Sequence, residues 1–290
     1  MSKFINPFTD IGFKRIFGQE ISKPVLITFL NALLADERNI IDVQFLDKEQ
    51  PGEGADDRSL IYDVYCKLDN GEHIIVEMQN KSQPFFKNRS VYYISRSISR
   101  QGEPGPGWRY DVKAVYMISL LNFKRDDISS EFRTDVALMD MKHKTLFSDK
   151  MRLIYLQLPY FTKELDDCKT LFEKLIYVLK HMDVLQRMPW LAQDAVFQKL
   201  ASIADVSSLS QKDRETYDEN LRKYRDTIAV MEGQYLEGRA EGRAEGRAEG
   251  RAEGRAEERL ANARSLKANG IAMDVIVRSL GLTPDEVDKL

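Results

Sequence analysis

Near the start of the chain apolar residues return at every third or fourth position. Phe13, Ile16 and Phe17 predict a short helix over DIGFKRIFG, with Thr9 or Asp10 as its cap and Gly18 as its stop. Val25, Leu26, Phe29, Leu30, Leu33 and Leu34 predict a second helix, capped by Ser22 with Pro24 in its first turn. The pattern then changes to strands. Ile40 to Asp47 reads as one, residues 50–57 as a loop rich in glycine and acid, and Leu60 to Asn80 as two strands around the turn Asp69-Asn70-Gly71. A helix follows from Pro84 to about Gln101. Val91, Ile94 and Ile98 form its apolar stripe, and Arg89, Tyr93, Arg96 and Arg100 form another. Gly102 to Gly107 breaks it. Val112 to Leu121 is a nearly unbroken apolar run, as expected of a strand covered on both faces. Trp108 and Tyr110, just before it, suit either a core role at the strand's start or stacking on a base. Phe132 to Asp140 and Met151 to Leu158 predict two more strands, with a turn near Ser148-Asp149 and an end at Pro159.

From Thr170 on the pattern is helical. Leu171, Phe172, Leu175, Ile176, Leu179 and Met182 mark one helix, Asp194 to Ile203 another, and Ser210 begins a long charged stretch. Glu237 to Ala256 is five copies of Glu-Gly-Arg-Ala. A four-residue unit is too short for a solenoid. On a helix it sets like charges at i and i+4, and each glycine costs roughly 1 kcal/mol against alanine. In isolation it is a marginal helix, read as a solvated spacer, although glycine at every fourth position would also admit close helix–helix contact. Leu260 to Leu290 reads as a small helical module. Asn269-Gly270 and Gly281 end its helices, Thr283, Pro284 and Glu286 form a capping box, and Val275, Ile276, Leu280, Leu282, Val287 and Leu290 supply a core. Its spacing suits a helix-turn-helix. The order of elements predicts an α/β core with a helical C-terminal region. The divisions fall at 1–162 (core), 163–236 (helical region), 237–258 (repeat spacer) and 259–290 (tail).

Composition narrows the classes. With 290 residues, 43% of them hydrophobic, the chain can build a substantial core, and it holds no apolar run of spanning length. The N-terminus lacks the apolar stretch of a signal peptide, and two cysteines suit a reducing compartment, so a cytoplasmic protein away from membranes is expected. The histidines His73, His143 and His181 are scattered, which argues against zinc. A metal would be held by oxygen, which favours magnesium, manganese or calcium. A net charge of −3 does not advertise a nucleic-acid binder, so such a partner must meet a local basic surface.

Candidate chemistry lies in the hairpin. Asp63, Glu77 and Gln79 interrupt strands otherwise apolar enough for a core, and a buried carboxylate is costly unless paired, bonded or bound to a cation. Glu77 and Gln79 share a face because strand side chains have period two. Loop length decides whether Asp63 joins them. A two-residue loop at Asn70-Gly71 sets Asp63 and Glu77 on opposite faces. A three-residue loop ending in left-handed Gly71 sets them directly opposite, with Cβ atoms about 5 Å apart. Gly71 sits where the longer loop needs it.

The strings FTDIGFKRIFG, FLNALL, IYDVYCKLDNGEHIIVEMQN and FFKNRSVYYISR, in that order, resemble the PD-(D/E)XK nuclease family transposases, related to the recombination-promoting (Rpn) nucleases. The likeness runs from about Phe8 to Phe161. It implies a restriction-endonuclease-like core, a mixed sheet flanked by helices, and a metal-dependent DNA endonuclease linked to recombination or mobile elements. The strand acid of that superfamily matches Asp63, and the acid of its E-x-K half-motif matches Glu77, the two binding a divalent cation, magnesium first. The third catalytic member falls on Gln79, where the usual lysine is replaced by glutamine. Lys14 or Lys67 could supply the missing positive charge. Arg89, Arg96 and Arg100 are candidates to contact DNA phosphates, with a solvated helix face as the alternative. Asp10 and Lys14 otherwise read as a cap and a surface charge. The C-terminal helices leave open a homo-oligomer. The competing function is a DNA-binding or assembly protein that keeps the fold without cleavage, and RNA remains open as a substrate.

Overall fold

The computed structural model describes residues 2–35, 37–50 and 60–290. It divides into two compact units, Met1–Ile228 and Ala229–Leu290. The first is built on a six-stranded sheet of β1 (Val43–Phe45), β4 (Val64–Leu68), β5 (His73–Gln79), β6 (Val115–Leu121), β7 (Arg133–Met139) and β8 (Leu146–Gln157), side by side as β1-β4-β5-β6-β8-β7. β5, β6 and β8 run parallel, and the remaining pairings in the sheet are antiparallel. β2 (Glu49–Gln50) and β3 (Leu60–Ile61) form a separate antiparallel pair.

The apolar run of β6 explains its place near the sheet's centre. All seven of its residues are buried, because helices cover both faces. On one face lie α1 (Asp10–Phe17), α2 (Lys23–Leu33), α4 (Leu171–His181) and α5 (Ala195–Ala204), packed with Val64, Cys66, Ile74, Val76, Tyr116 and Ile118. Ile16, Leu26, Phe29 and Leu30 of α1 and α2 are fully buried, each contributing roughly 1.5–3 kcal/mol. On the other face lies α3 (Phe86–Ser99), the crossover from β5 to β6, whose Phe86 meets Tyr155 and Phe123 with ring centroids 5.8 and 6.4 Å apart. The mixed sheet between helices is the restriction-endonuclease-like α/β architecture expected above.

Local signals hold at the helix ends. Thr9 accepts the Gly12 N–H at the start of α1, and Thr170 and Glu173 make a reciprocal capping box at the start of α4. Cys66 and Cys168 are free thiols, both buried. Among the described residues no helix is long and apolar enough to cross a membrane.

Several expectations need correction. The strand expected over Ile40–Asp47 is only Val43–Phe45, and the loop expected over 50–57 lies, from 51 on, outside the described residues. On α3 the buried face is Phe86, Ser90, Ile94 and Ser97, while Val91 is exposed. The serines are small enough to approach the sheet and satisfy themselves locally. Ser90 donates to the Phe86 carbonyl, and Ser97 Oγ lies 3.1 Å from the Tyr65 hydroxyl. The turn expected at Ser148-Asp149 forms between Asp140 and Thr145, because the Asp140 carboxylate accepts the N–H groups of Lys142 and His143. Tyr110 takes no core position. It is exposed and its ring lies on Trp108, 4.5 Å between centroids.

Helix α6 (Gln211–Ala268), which begins in the first unit and ends in the second, runs through the whole repeat, which is almost entirely exposed. An isolated repeat would have to nucleate its own helix, whereas here flanking turns supply the nucleus and each residue only propagates it. Gly270 and Gly281, at φ 77° and 62°, terminate the next turns, and Thr283 and Glu286 cap α8 (Pro284–Asp288) reciprocally. Ala263, Ile276 and Val287 form the small core, and Val277 of α7 (Met273–Leu280) packs there while Val275 is exposed.

Candidate active site

The loop after β4 is the three-residue one. The Leu68 N–H donates to the Glu72 carbonyl at 2.8 Å, the Gly71 N–H to Leu68 at 3.0 Å, and Gly71 has φ 86°. Val64 therefore pairs with Val76, and Asp63 falls opposite Glu77. The first strand of the hairpin is not continuous, however. It is interrupted at Tyr62-Asp63, between β3 and β4. The physical reason is that carboxylates have replaced the ladder there. The Met78 N–H donates to Asp63 Oδ2 at 2.8 Å, and the Asp63 N–H to Glu77 Oε1 at 3.3 Å. Each acid is pinned to the backbone of the opposite strand.

Gln79, two positions beyond Glu77 on the same face, donates its Nε2 to Glu77 Oε2 at 3.1 Å. Among the described residues its own Oε1 accepts no hydrogen bond. Arg89 on α3 brings a guanidinium nitrogen to 3.7 Å from Glu77 Oε2, which is ion pairing at long range rather than a hydrogen bond. The same guanidinium lies 4.8 Å from the centre of the Tyr93 ring and donates to Gln83 Oε1 at 3.2 Å. Arg96 and Arg100 continue along the helix. Arg100 lies near Tyr62 and Tyr65, whose ionised forms its charge favours. The structure thus brings Asp63, Glu77, Gln79 and Arg89 together. From Arg89 to Arg100 the helix rises by about 16 Å.

Glu77 is 2% exposed, so the pair is electrostatically expensive. Burial pushes the Glu77 carboxyl well above its ordinary range, and the Asp63 carboxylate adds to the effect. Arg89, the Asp63 N–H and Gln79 oppose it only in part. Burial likewise raises Asp63, against the Met78 N–H and the charge of Lys14. Lys14 projects from α1 and pairs with Asp10 at 2.5 Å. Of the two lysines considered above, Lys14 is the one whose charge reaches Asp63, while Lys67 is exposed and acts on His73. Asp10 also acts on Asp63, raising it.

Sequence reasoning missed Ser119. It pairs in register with Glu77 across the parallel β5/β6 junction, and among the described residues its buried hydroxyl has no partner. The signal was a single polar residue in the middle of β6. Among the described residues no group of three or more His, Cys, Asp and Glu could hold a metal. The donors at hand are two carboxyls, an amide oxygen and an orphaned hydroxyl on one sheet face. All are hard oxygen ligands, and the charges of Arg89 and Lys14 offset the two acids only in part. This set fits a magnesium-like ion, which keeps several waters, better than a fully enclosed one.

A family model described as PD-(D/E)XK nuclease family transposase matches residues 7–234. No curated protein and no solved structure matches the chain.

Proposed function

We propose that this chain, which belongs to the PD-(D/E)XK nuclease family transposases, is a metal-dependent DNA endonuclease acting in recombination or mobile-element biology. The observation that carries the reading is the carboxyl pair. Asp63 and Glu77 are cross-pinned, Glu77 buried and Asp63 partly buried, with the Arg89 guanidinium 3.7 Å from Glu77 and the charge of Lys14 acting on Asp63. Two such acids would hold a hard divalent cation, magnesium or else manganese or calcium. That cation supplies positive charge beside a phosphate and makes a water molecule more acidic.

The chain's own groups account for the rest of the chemistry. The Asp63 and Met78 backbone bonds fix both carboxyls before any substrate arrives, so no reorganisation is needed at the moment of reaction. Gln79 orients the Glu77 carboxylate through its N–H and offers Oε1 to position the attacking water. An amide takes no proton, so Gln79 positions the water rather than acting as the base. Lys14 contributes the positive charge that a lysine at position 79 would bring. Arg89, Arg96 and Arg100 place the phosphate backbone without reading bases.

Glutamine at position 79 favours a second reading, because its only donor group is already engaged by Glu77. In that reading the chain binds DNA or assembles, through its C-terminal helices among others, and does not cut. Supercoiled plasmid incubated with magnesium, manganese or calcium separates the two. Under the first reading wild type nicks the plasmid, and Asp63→Ala and Glu77→Ala each lose on the order of a hundred- to a thousandfold in rate. Intact plasmid shifted in a gel by wild type supports the second, and equal cutting by wild type and variants refutes the assigned residues. An RNA of matched sequence, run in parallel, tests the nucleic-acid class.

A further inference from the structure

A groove of about 760 Å³ opens on the outer side of α3. Its walls include Phe85, Asn88, Arg89 and Tyr92, with Gln83 and Tyr93 both in contact with Arg89. The first four fall at i, i+3, i+4 and i+7, one face of the helix and its cap. Phe85 is 75% exposed and Tyr92 45% exposed, so two large aromatic rings face the groove without packing against a core. Arg89 is the wall this groove shares with the acid pair, since one of its nitrogens lies 3.7 Å from Glu77.

We propose that this groove is a nucleobase subsite, which takes an unpaired, unstacked base next to the scissile phosphate and so directs the enzyme to DNA with single-stranded character at the cut. The inference rests on the reading of Asp63 and Glu77 as the phosphodiester-cutting pair. A phosphate seated at the acids is flanked by nucleosides, and the groove begins at the residue that borders those acids. Base faces stack on aromatic rings regardless of sequence, and guanidinium groups reinforce the stack. The side-chain amides of Gln83 and Asn88 can bond base edges of any type. Leu60 and Pro84 add aliphatic wall, but three rings, two amides and a guanidinium beside the proposed phosphate-binding centre match a nucleotide better than an aliphatic protein anchor, and the positive charge of Arg89 complements its backbone.

The test is binding of fluorescent single-stranded and duplex DNA of one sequence, in EDTA so that no strand is cut, followed by anisotropy. The full chain is compared with Phe85→Ala/Tyr92→Ala and with Tyr92→Phe. The double variant is expected to lose at least about tenfold in single-strand affinity with duplex affinity unchanged. Tyr92→Phe, which keeps the ring, is expected to bind like wild type. In a strand carrying 2-aminopurine, fluorescence is expected to be quenched by wild type and recovered with the double variant. Unchanged single-strand affinity in the double variant overturns the proposal, whether or not wild type cuts plasmid. Equal losses for single strand and duplex overturn it too, since they mean a general defect. Self-association lost in the double variant with DNA affinity intact would assign the groove to a second copy, again overturning it. Wild type that binds single strands through the two rings yet never cuts plasmid upholds the subsite and removes the endonuclease reading instead.

Discussion

The sheet carries two groups of acids, balanced in opposite ways. On its outer strands, Asp135 of β7 meets Arg133 at 2.7 Å and Arg152 of β8 at 3.0 Å, and Arg152 also holds Glu37 at 2.9 Å. Burial alone would push the Asp135 carboxyl up, but the bonds and charges of Arg133 and Arg152 prevail and lower it. Asp63, next to β4, and Glu77, on β5, lie four and three strands from β7 in the sheet's order and are both raised, and Arg89 approaches Glu77 only to 3.7 Å. The outer group is closed, each acid matched by a guanidinium at hydrogen-bond distance. The inner pair is open and short of positive charge. An acid cluster that balances itself reads as structural, and one that does not marks a candidate functional site.

Arg152→Met leaves Glu37 and Asp135 without their shared partner and is expected to destabilise by about 1–3 kcal/mol, a fall of roughly 2–10 °C in Tm for a unit of this size. Arg89→Met should change Tm less, because Arg89 stands 3.7 Å from Glu77, beyond hydrogen-bond distance. Calorimetry giving the reverse order would mean that the inner pair is the structural one.

A smaller effect sharpens the contrast from the acid side. Glu77→Gln keeps the shape and can still accept the Asp63 N–H, but removes the carboxyl whose ionisation burial and the Asp63 carboxylate oppose. In EDTA, at a pH above the raised Glu77 value, it is expected to raise Tm by about 2–4 °C, a stability gain of the kind found when functional groups are removed. Added magnesium should raise the Tm of wild type and not of the variant. A variant that melts lower than wild type in EDTA would show that the pair is already satisfied.

The smallest effect is a pH slope. Because Asp135 is held below its ordinary value, the unfolded chain binds more protons than the folded one as acid is added. Its contribution to stability is complete above the unfolded value of about 3.9 and is lost as pH falls through the lower folded value. Melting followed from pH 5 downward should therefore be less steep in Asp135→Asn than in wild type. Identical slopes would mean that Arg133 and Arg152 do not stabilise the ionised form.

Much of the fold was legible because local rules and tertiary packing agreed. The spacing of Phe13, Ile16 and Phe17 and the position of Gly18 set α1 nearly to the residue, and the apolar run from Val112 to Leu121 announced a strand covered on both sides, which forms over Val115–Leu121. Gly71 settled the loop length, and with it the pairing of Asp63 with Glu77. Legibility failed where a side chain overruled the local pattern. Val91 has the right spacing for a buried stripe, yet α3 turns Ser90 and Ser97 inward, because small hydroxyl side chains fit the sheet where Tyr65 needs a partner. The turn after β7 followed Asp140, whose carboxylate captured two N–H groups, rather than the dipeptide at 148–149.

Periodicity and one glycine were enough to set the hairpin register and to put Asp63 opposite Glu77, while the kind of α/β core and the interest of those two acids came through the family resemblance. Only the tertiary structure decided how those acids are held. The break at Tyr62-Asp63, the capture of Glu77 by Gln79 and the distant stance of Arg89 depend on which backbone groups the crossing strands leave unpaired. The same holds for Lys14 and Ser119, which come from α1 and β6, remote in the chain from the hairpin. Side-chain period tells which residues share a face, but distances of a few ångströms between elements set whether a charge is balanced.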